Sequence, residues 1–182
     1  MSAATDRGAG RRQLLLLASV FLIPVVAAAW LYFSSGWRPE AGTHGELIDP
    51  PRPLAAEVLR GYWFLVYLPT GGCDDRCVAV MAELARVRLA LDKDAARVRR
   101  VLLHAGDCCR PESLATEPDL LVLGATGPRG EALRALFPAA ADGARIYIVD
   151  PHGNLMLSYP ATGSARDLLK DLERLLRLSR IG

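Results

Sequence analysis

Cys73-Asp74-Asp75-Arg76-Cys77 puts two thiols four residues apart. The pair follows an apolar run, Trp63 to Leu68, and precedes a helical pattern. A helix N-terminus carries partial positive charge and favours a thiolate over a thiol. A pair of thiolates can exchange disulfides or hold a soft ion such as Cu(I). Side chains at i and i+4 of one helix are too far apart for a disulfide. Cys73 is therefore expected in a loop and Cys77 in the first helical turn, with Asp74 or Asp75 as the cap and Gly71 and Gly72 giving the loop its freedom. Asp74 and Asp75 oppose thiolate formation, whereas Arg76 favours it. A plain stabilising disulfide is the alternative, and so small a loop gains little from one.

The chain has 182 residues, enough for one domain and an anchor. Residues 13–33 carry no charge and at 1.5 Å per residue reach roughly 30 Å, the thickness of a bilayer core. Arg7, Arg11 and Arg12 precede this stretch, and Trp30, Tyr32, Phe33 and Trp37 gather at its far end. Basic residues belong on the cytoplasmic side and aromatic ones at the interface, so the rest of the chain is expected outside. A cleaved signal peptide is the rival reading, but its apolar core would be shorter. The predicted organisation is a cytoplasmic N-terminus (1–12), a transmembrane helix (13–33), a tether (34–59) and an exported domain (60–182). All four cysteines, Cys73, Cys77, Cys108 and Cys109, fall in the exported part, where disulfides persist. A net charge of only +2 gives no argument for a nucleic-acid partner.

The exported part reads as alternating elements. A strand over Tyr62–Leu68 leads into the cysteines. A helix with Val80, Leu84, Val87 and Leu91 on one stripe follows, then a strand over Val98–His104. Strand, helix and strand make a parallel unit. Leu120–Leu123 is a short apolar run, and Gly127-Pro128 opens a short helix that ends at Phe137-Pro138. Two further strands flank the turn Asp150 to Asn154. A last helix is capped by Ser164, with Ala165, Leu168, Leu169, Leu172, Leu175 and Leu176 on its apolar face. The order predicts an α/β class: a thioredoxin-like domain behind a single N-terminal transmembrane helix, with the thiols at the end of the first core strand.

These residues resemble the Sco/SenC family, membrane-anchored thioredoxin-like proteins that help insert copper into cytochrome c oxidase. Leu59-Arg60-Gly61 before the strand, the C-x3-C with Asp75 at its centre, Ile146 to Pro151 with Gly153, and the anchor-plus-tether layout carry the likeness. The resemblance implies a bacterial inner-membrane protein with a periplasmic domain, copper as the metal, and the copper-bearing subunit of the oxidase as partner. It implies that Cys73 and Cys77 act as metal ligands or as a catalytic thiol pair. The sequence departs from the family in having Asp74 and Val78 where a Pro follows each cysteine, and Asp142 where the family has a copper-ligand His. Carboxylate suits Cu(I) poorly.

Two mechanisms stay open, a copper chaperone and a thiol–disulfide reductant. A non-metal oxidoreductase unrelated to the oxidase and a redox-inert docking protein are the alternatives. His104 ends a strand parallel to the one before Cys73, so it is a candidate third ligand. Asp107, Cys108 and Cys109 follow it and could supply a resolving thiol or be incidental to a surface loop; sequence does not fix their pairing. His152 lies in a turn expected to point away from the thiols, and His44 in the tether. Arg97, Arg99 and Arg100 read as a solvated face.

Overall fold

The computed structural model describes residues 6–33, 42–104, 117–138 and 143–181. Cys108, Cys109, Asp107 and Asp142 lie outside the described residues. The chain divides into two compact units, Met1–Gly42 and Thr43–Gly182. The first holds helix α1, Asp6–Phe33, with Pro24 inside it. Its stretch Arg12–Trp30 has a mean hydropathy of 2.2 and none of it is buried, so it is long and apolar enough to cross a membrane.

The second unit is built on a six-stranded sheet. Its strands are β1 (Glu46–Pro53), β2 (Trp63–Leu68), β3 (Val98–His104), β4 (Leu120–Gly124), β5 (Arg145–Val149) and β6 (Asn154–Pro160). Their order across the sheet is β1-β6-β5-β2-β3-β4. β2, β3 and β4 run parallel, whereas β5, β6 and β1 are joined antiparallel. Helices α2 (Asp75–Ala90), α3 (Gly127–Ala135) and α4 (Ala165–Leu178) complete the unit.

β2 is buried along its whole length, as expected of a central strand covered on both faces. Trp63, Leu65 and Tyr67 point into one core with Cys77, Met81, Leu84, Val98, Leu102, Leu168 and Leu172. Phe64, Val66 and Leu68 point into the other, with Leu54, Leu59, Val101, Phe137 and Tyr147. The period of two along the strand thus sets α2 and α4 on one face of the sheet.

Residues 34–59 were expected to form a tether; from Thr43 onward they belong to the domain instead. β1 pairs antiparallel with β6, a short 3-10 helix covers Glu57–Leu59, and Leu54, Ala56 and Leu59 are buried. Pro50, Pro51 and Pro53 obscured the strand. They fit it because β1 is an edge strand, where a missing N–H can face away from the sheet.

The arginine run departs from expectation too. Arg100 is only 2% exposed. It points inward with Val98 and Leu102, donates to the Met81 carbonyl (3.1 Å) and to Asp119 (2.7 Å), and pairs with Glu117. Arg97 donates to the carbonyls of Leu176 (3.0 Å) and Ser179 (2.7 Å), satisfying the C-terminal end of α4. Arg99 stacks over Tyr62, 3.9 Å from the ring centre. These arginines are anchored, each by its own partner, and do not form a solvated face.

Candidate functional site

Cys73 and Cys77 form a disulfide with their Cα atoms 5.1 Å apart. Cys73 lies in the loop after β2, and Cys77 in the first turn of α2. Asp74 is the N-cap: its Oδ1 accepts the Cys77 N–H at 3.0 Å. The neighbouring β2 residue Tyr67 is buried among the same core side chains as Cys77. Burial, then the Asp74 carboxylate, pushes its hydroxyl above the usual tyrosine range, while Arg76 pulls the other way. Tyr67 therefore stays neutral at the pH values where thiols exchange.

The two cysteines differ in burial. Cys77 is 1% exposed, whereas Cys73 is only partly buried and Asp74, Asp75 and Arg76 are open to solvent. Cys77 is enclosed within the first turn of α2.

β2 and β3 are parallel, with Tyr67 opposite Leu102, so His104 ends on the same sheet edge as the strand leading to Cys73. Alternation along β3 places His104 on the face of Val98, Arg100 and Leu102, which is the face that packs α2. Its side chain is half-buried. Among the described residues no group of three or more His, Cys, Asp and Glu side chains is arranged to hold a metal ion. His152 lies past the far end of β5, which runs antiparallel to β2, so it sits at the opposite edge.

A second polar cluster was not anticipated. Asp171 of α4 is 2% exposed. It accepts the backbone N–H groups of His44 (2.6 Å) and Gly45 (3.0 Å), the Tyr159 hydroxyl (2.6 Å) and the His44 ring Nδ1 (3.1 Å). Burial pushes this carboxyl up, but the bonds from Tyr159, Gly45 and His44 outweigh it and hold it below the usual carboxylate range. Tyr159 is pushed far up, first by burial and then by Asp171. Gly45 has no room for a side chain, since a Cβ there would run into the Tyr159 ring. The signal in the sequence was a carboxylate among the leucines: Asp171 falls on the stripe of Leu168, Leu172 and Leu175.

The family model described as "Transmembrane-like, thioredoxin-like, C-terminal domain" matches residues 63–179. The chain belongs to this family. No curated protein matches it in sequence. A putative thioredoxin from Neisseria meningitidis aligns at 12% identity and a TM-score of 0.50, over 75% of this chain and 91% of its own. That likeness shows the thioredoxin-like fold expected from the element order. The chain is also similar to copper-bound ScoI of Arabidopsis thaliana, at 16% identity and a TM-score of 0.47, over 67% of this chain and 88% of that one. Copper-bound ScoI of Bradyrhizobium japonicum aligns at 20% identity and a TM-score of 0.42, over 64% and 87%. Family membership covers the thiol loop, α2 and the whole sheet except β1.

Proposed function

We propose that this chain is a membrane-anchored thiol–disulfide reductant that prepares the copper-binding cysteines of cytochrome c oxidase outside the bacterial inner membrane. Residues 13–33 are its transmembrane anchor, and the domain from Thr43 faces the periplasm. The observation that carries the chemistry is the Cys73–Cys77 disulfide at the N-terminus of α2, with Cys73 half-buried and Cys77 buried. The oxidase as destination rests on the motif resemblance: the C-x3-C, Arg60-Gly61 and the Ile146 to Gly153 segment.

In the reduced protein the Cys73 thiolate attacks one sulfur of a partner disulfide. A mixed disulfide forms and the partner's other sulfur leaves as a thiolate. The Cys77 thiolate then attacks Cys73, closes the intramolecular disulfide and releases the second partner thiolate. Two electrons pass to the partner, and the protein ends oxidised. A purely structural role would gain only about 2 kcal/mol from closing so short a loop.

The test is a trapping experiment with a disulfide-bonded peptide that carries the oxidase subunit's two copper-binding cysteines. Cys77→Ser should accumulate a mixed disulfide through Cys73, and Cys73→Ser should accumulate none. Failure of both variants to trap, with wild type leaving the peptide oxidised, rejects the reductant.

A copper-chaperone reading draws on the same two sulfurs. Soft thiolates fit Cu(I), which would be cargo passed by ligand exchange. The placement of His104 on the α2 face of the same sheet edge supports a third ligand. Titrating Cu(I) into the reduced chain separates the readings. Binding that is lost in C73S/C77S and weakened about tenfold or more in His104→Ala supports the chaperone with a His ligand. Unchanged affinity in His104→Ala leaves a two-thiolate site.

A further inference from the structure

Beside the thiol loop, but on the sheet face opposite α2, the domain has a cleft of about 580 Å³, within the range of ligand pockets. Leu68, Pro69 and Thr70 form one wall, and they are the residues that lead from β2 to Cys73. The floor is apolar, made by the buried Phe137 and Tyr147. The rim is cationic, with Arg52, Arg134 and Arg145 against Glu131, the single acid of the lining among the described residues.

The three arginines are not equivalent. Arg145 is engaged by Glu46 and by the Ser158 hydroxyl (2.8 Å). Among the described residues Arg134 reaches only the Pro69 carbonyl, at 3.4 and 3.5 Å from its two terminal nitrogens, which holds the guanidinium over the chain entering the thiol loop. A guanidinium has five donors, so contacts this long leave most of them for a ligand. Arg52 is exposed and makes no hydrogen bond or ion pair among the described residues. Two guanidiniums thus border an apolar floor at the approach to Cys73, and this geometry selects carboxylate attached to an apolar body.

We infer that this cleft docks an acidic, apolar segment of the protein whose disulfide Cys73 attacks. The inference rests on the reductant reading for its choice of partner, since a segment seated against Pro69 and Thr70 stands next to the loop that carries Cys73. Docking there would raise the local concentration of the partner disulfide at the thiolate and select against basic partners.

The test uses the full chain in a non-ionic detergent and two fluorescent, cysteine-free peptides. One carries Asp and Glu around a Phe, and the other carries Lys at the same positions. Fluorescence anisotropy should show the acidic peptide binding and the basic one failing to bind, with affinity falling as salt is raised. R52E/R134E should weaken the acidic peptide by about tenfold or more and admit the basic one. R52Q/R134Q, which keeps size and polarity, should lose affinity without the reversal. Equal binding of the two peptides, or an unchanged preference in R52E/R134E with a native circular dichroism spectrum, overturns the proposal. A small dicarboxylate that binds as tightly as the acidic peptide would overturn the protein segment as occupant.

The same peptides carrying a disulfide then separate the two ideas. Selective binding without reduction leaves the docking site standing and removes the reductant. Reduction of acidic and basic disulfide peptides at equal rates by the wild type, alongside fast reduction of hydroxyethyl disulfide, keeps the reductant and removes the docking site.

Discussion

At the start of α2, Asp74 accepts one backbone N–H and stands open to solvent. On α4, Asp171 accepts two backbone N–H groups and the Tyr159 hydroxyl, meets the His44 ring, and is almost sealed from water. Both carboxylates satisfy backbone donors, yet they serve different ends. Asp74 caps α2 from an exposed stretch of chain beside the half-buried Cys73. Asp171 binds the chain entering the domain to its last helix, and burial makes each of its bonds costly to lose. Reactivity and stability are thus assigned to separate regions, and substitutions should affect one without the other.

The largest effect expected is chemical. Cys73→Ser should abolish disulfide exchange while leaving the urea unfolding midpoint of the reduced protein close to that of reduced wild type. A large shift in that midpoint would show that Cys73 is structural. Next comes Asp171→Ala, which strands several buried donors and should cost about 3 kcal/mol in urea unfolding. The exchange rate of its folded fraction should stay at the wild-type level.

The same carboxylate gives a pH signature. Asp171 and Asp119 are both held below the ordinary value in the folded chain; at Asp119, burial opposes the shift and the Arg100 bond and charge outweigh it. Each contributes stability that is fully present above about pH 4 and is lost as pH falls through the folded value. Wild type should therefore weaken on acidification below about pH 4, and Asp171→Ala should show a shallower fall over the same window. Parallel curves would count against the cluster as a source of acid lability.

Smaller losses sharpen the contrast. Gly45→Ala forces the Tyr159 ring to shift and should cost about 1–3 kcal/mol, with no change at the thiols. Asp74→Ala removes a cap worth about 1 kcal/mol, and it also removes a negative charge near the sulfurs. Unlike Asp171→Ala and Gly45→Ala, it should shift thiol reactivity in the folded protein, toward a more readily formed thiolate. Iodoacetamide labelling of the reduced protein against pH measures this directly.

What could be read in the sequence was whatever a short window contains. The strands around Trp63–Leu68 and Val98–His104, the capped helix at the cysteines and the Ser164 cap all follow from local periodicity and turn chemistry. The Ser164 hydroxyl accepts from the Asp167 N–H as its position implied. The misses are long-range. β1 becomes a strand because β6 pairs with it more than a hundred positions later, and its prolines hide that locally. Arg100 is buried because Asp119 and Glu117 meet it from beyond β3, and a charge at an inward strand position was the one local hint. His44 looked like part of a tether until Asp171 supplied its partner. At the candidate site the thiol pair and its cap were legible, whereas the cationic cleft was not, since Arg52, Arg134 and Arg145 come from three separate stretches of chain.

The prolines of β1 have an effect beyond this one molecule. A sheet that ends in an ordinary strand offers a row of donors and acceptors to which a neighbour's strand can add. Pro50, Pro51 and Pro53 leave the rim at β1 short of donors, and Arg52 adds a charge that repels an identical edge. The rim at β1 is thus poorly suited to templating a filament between copies of the chain.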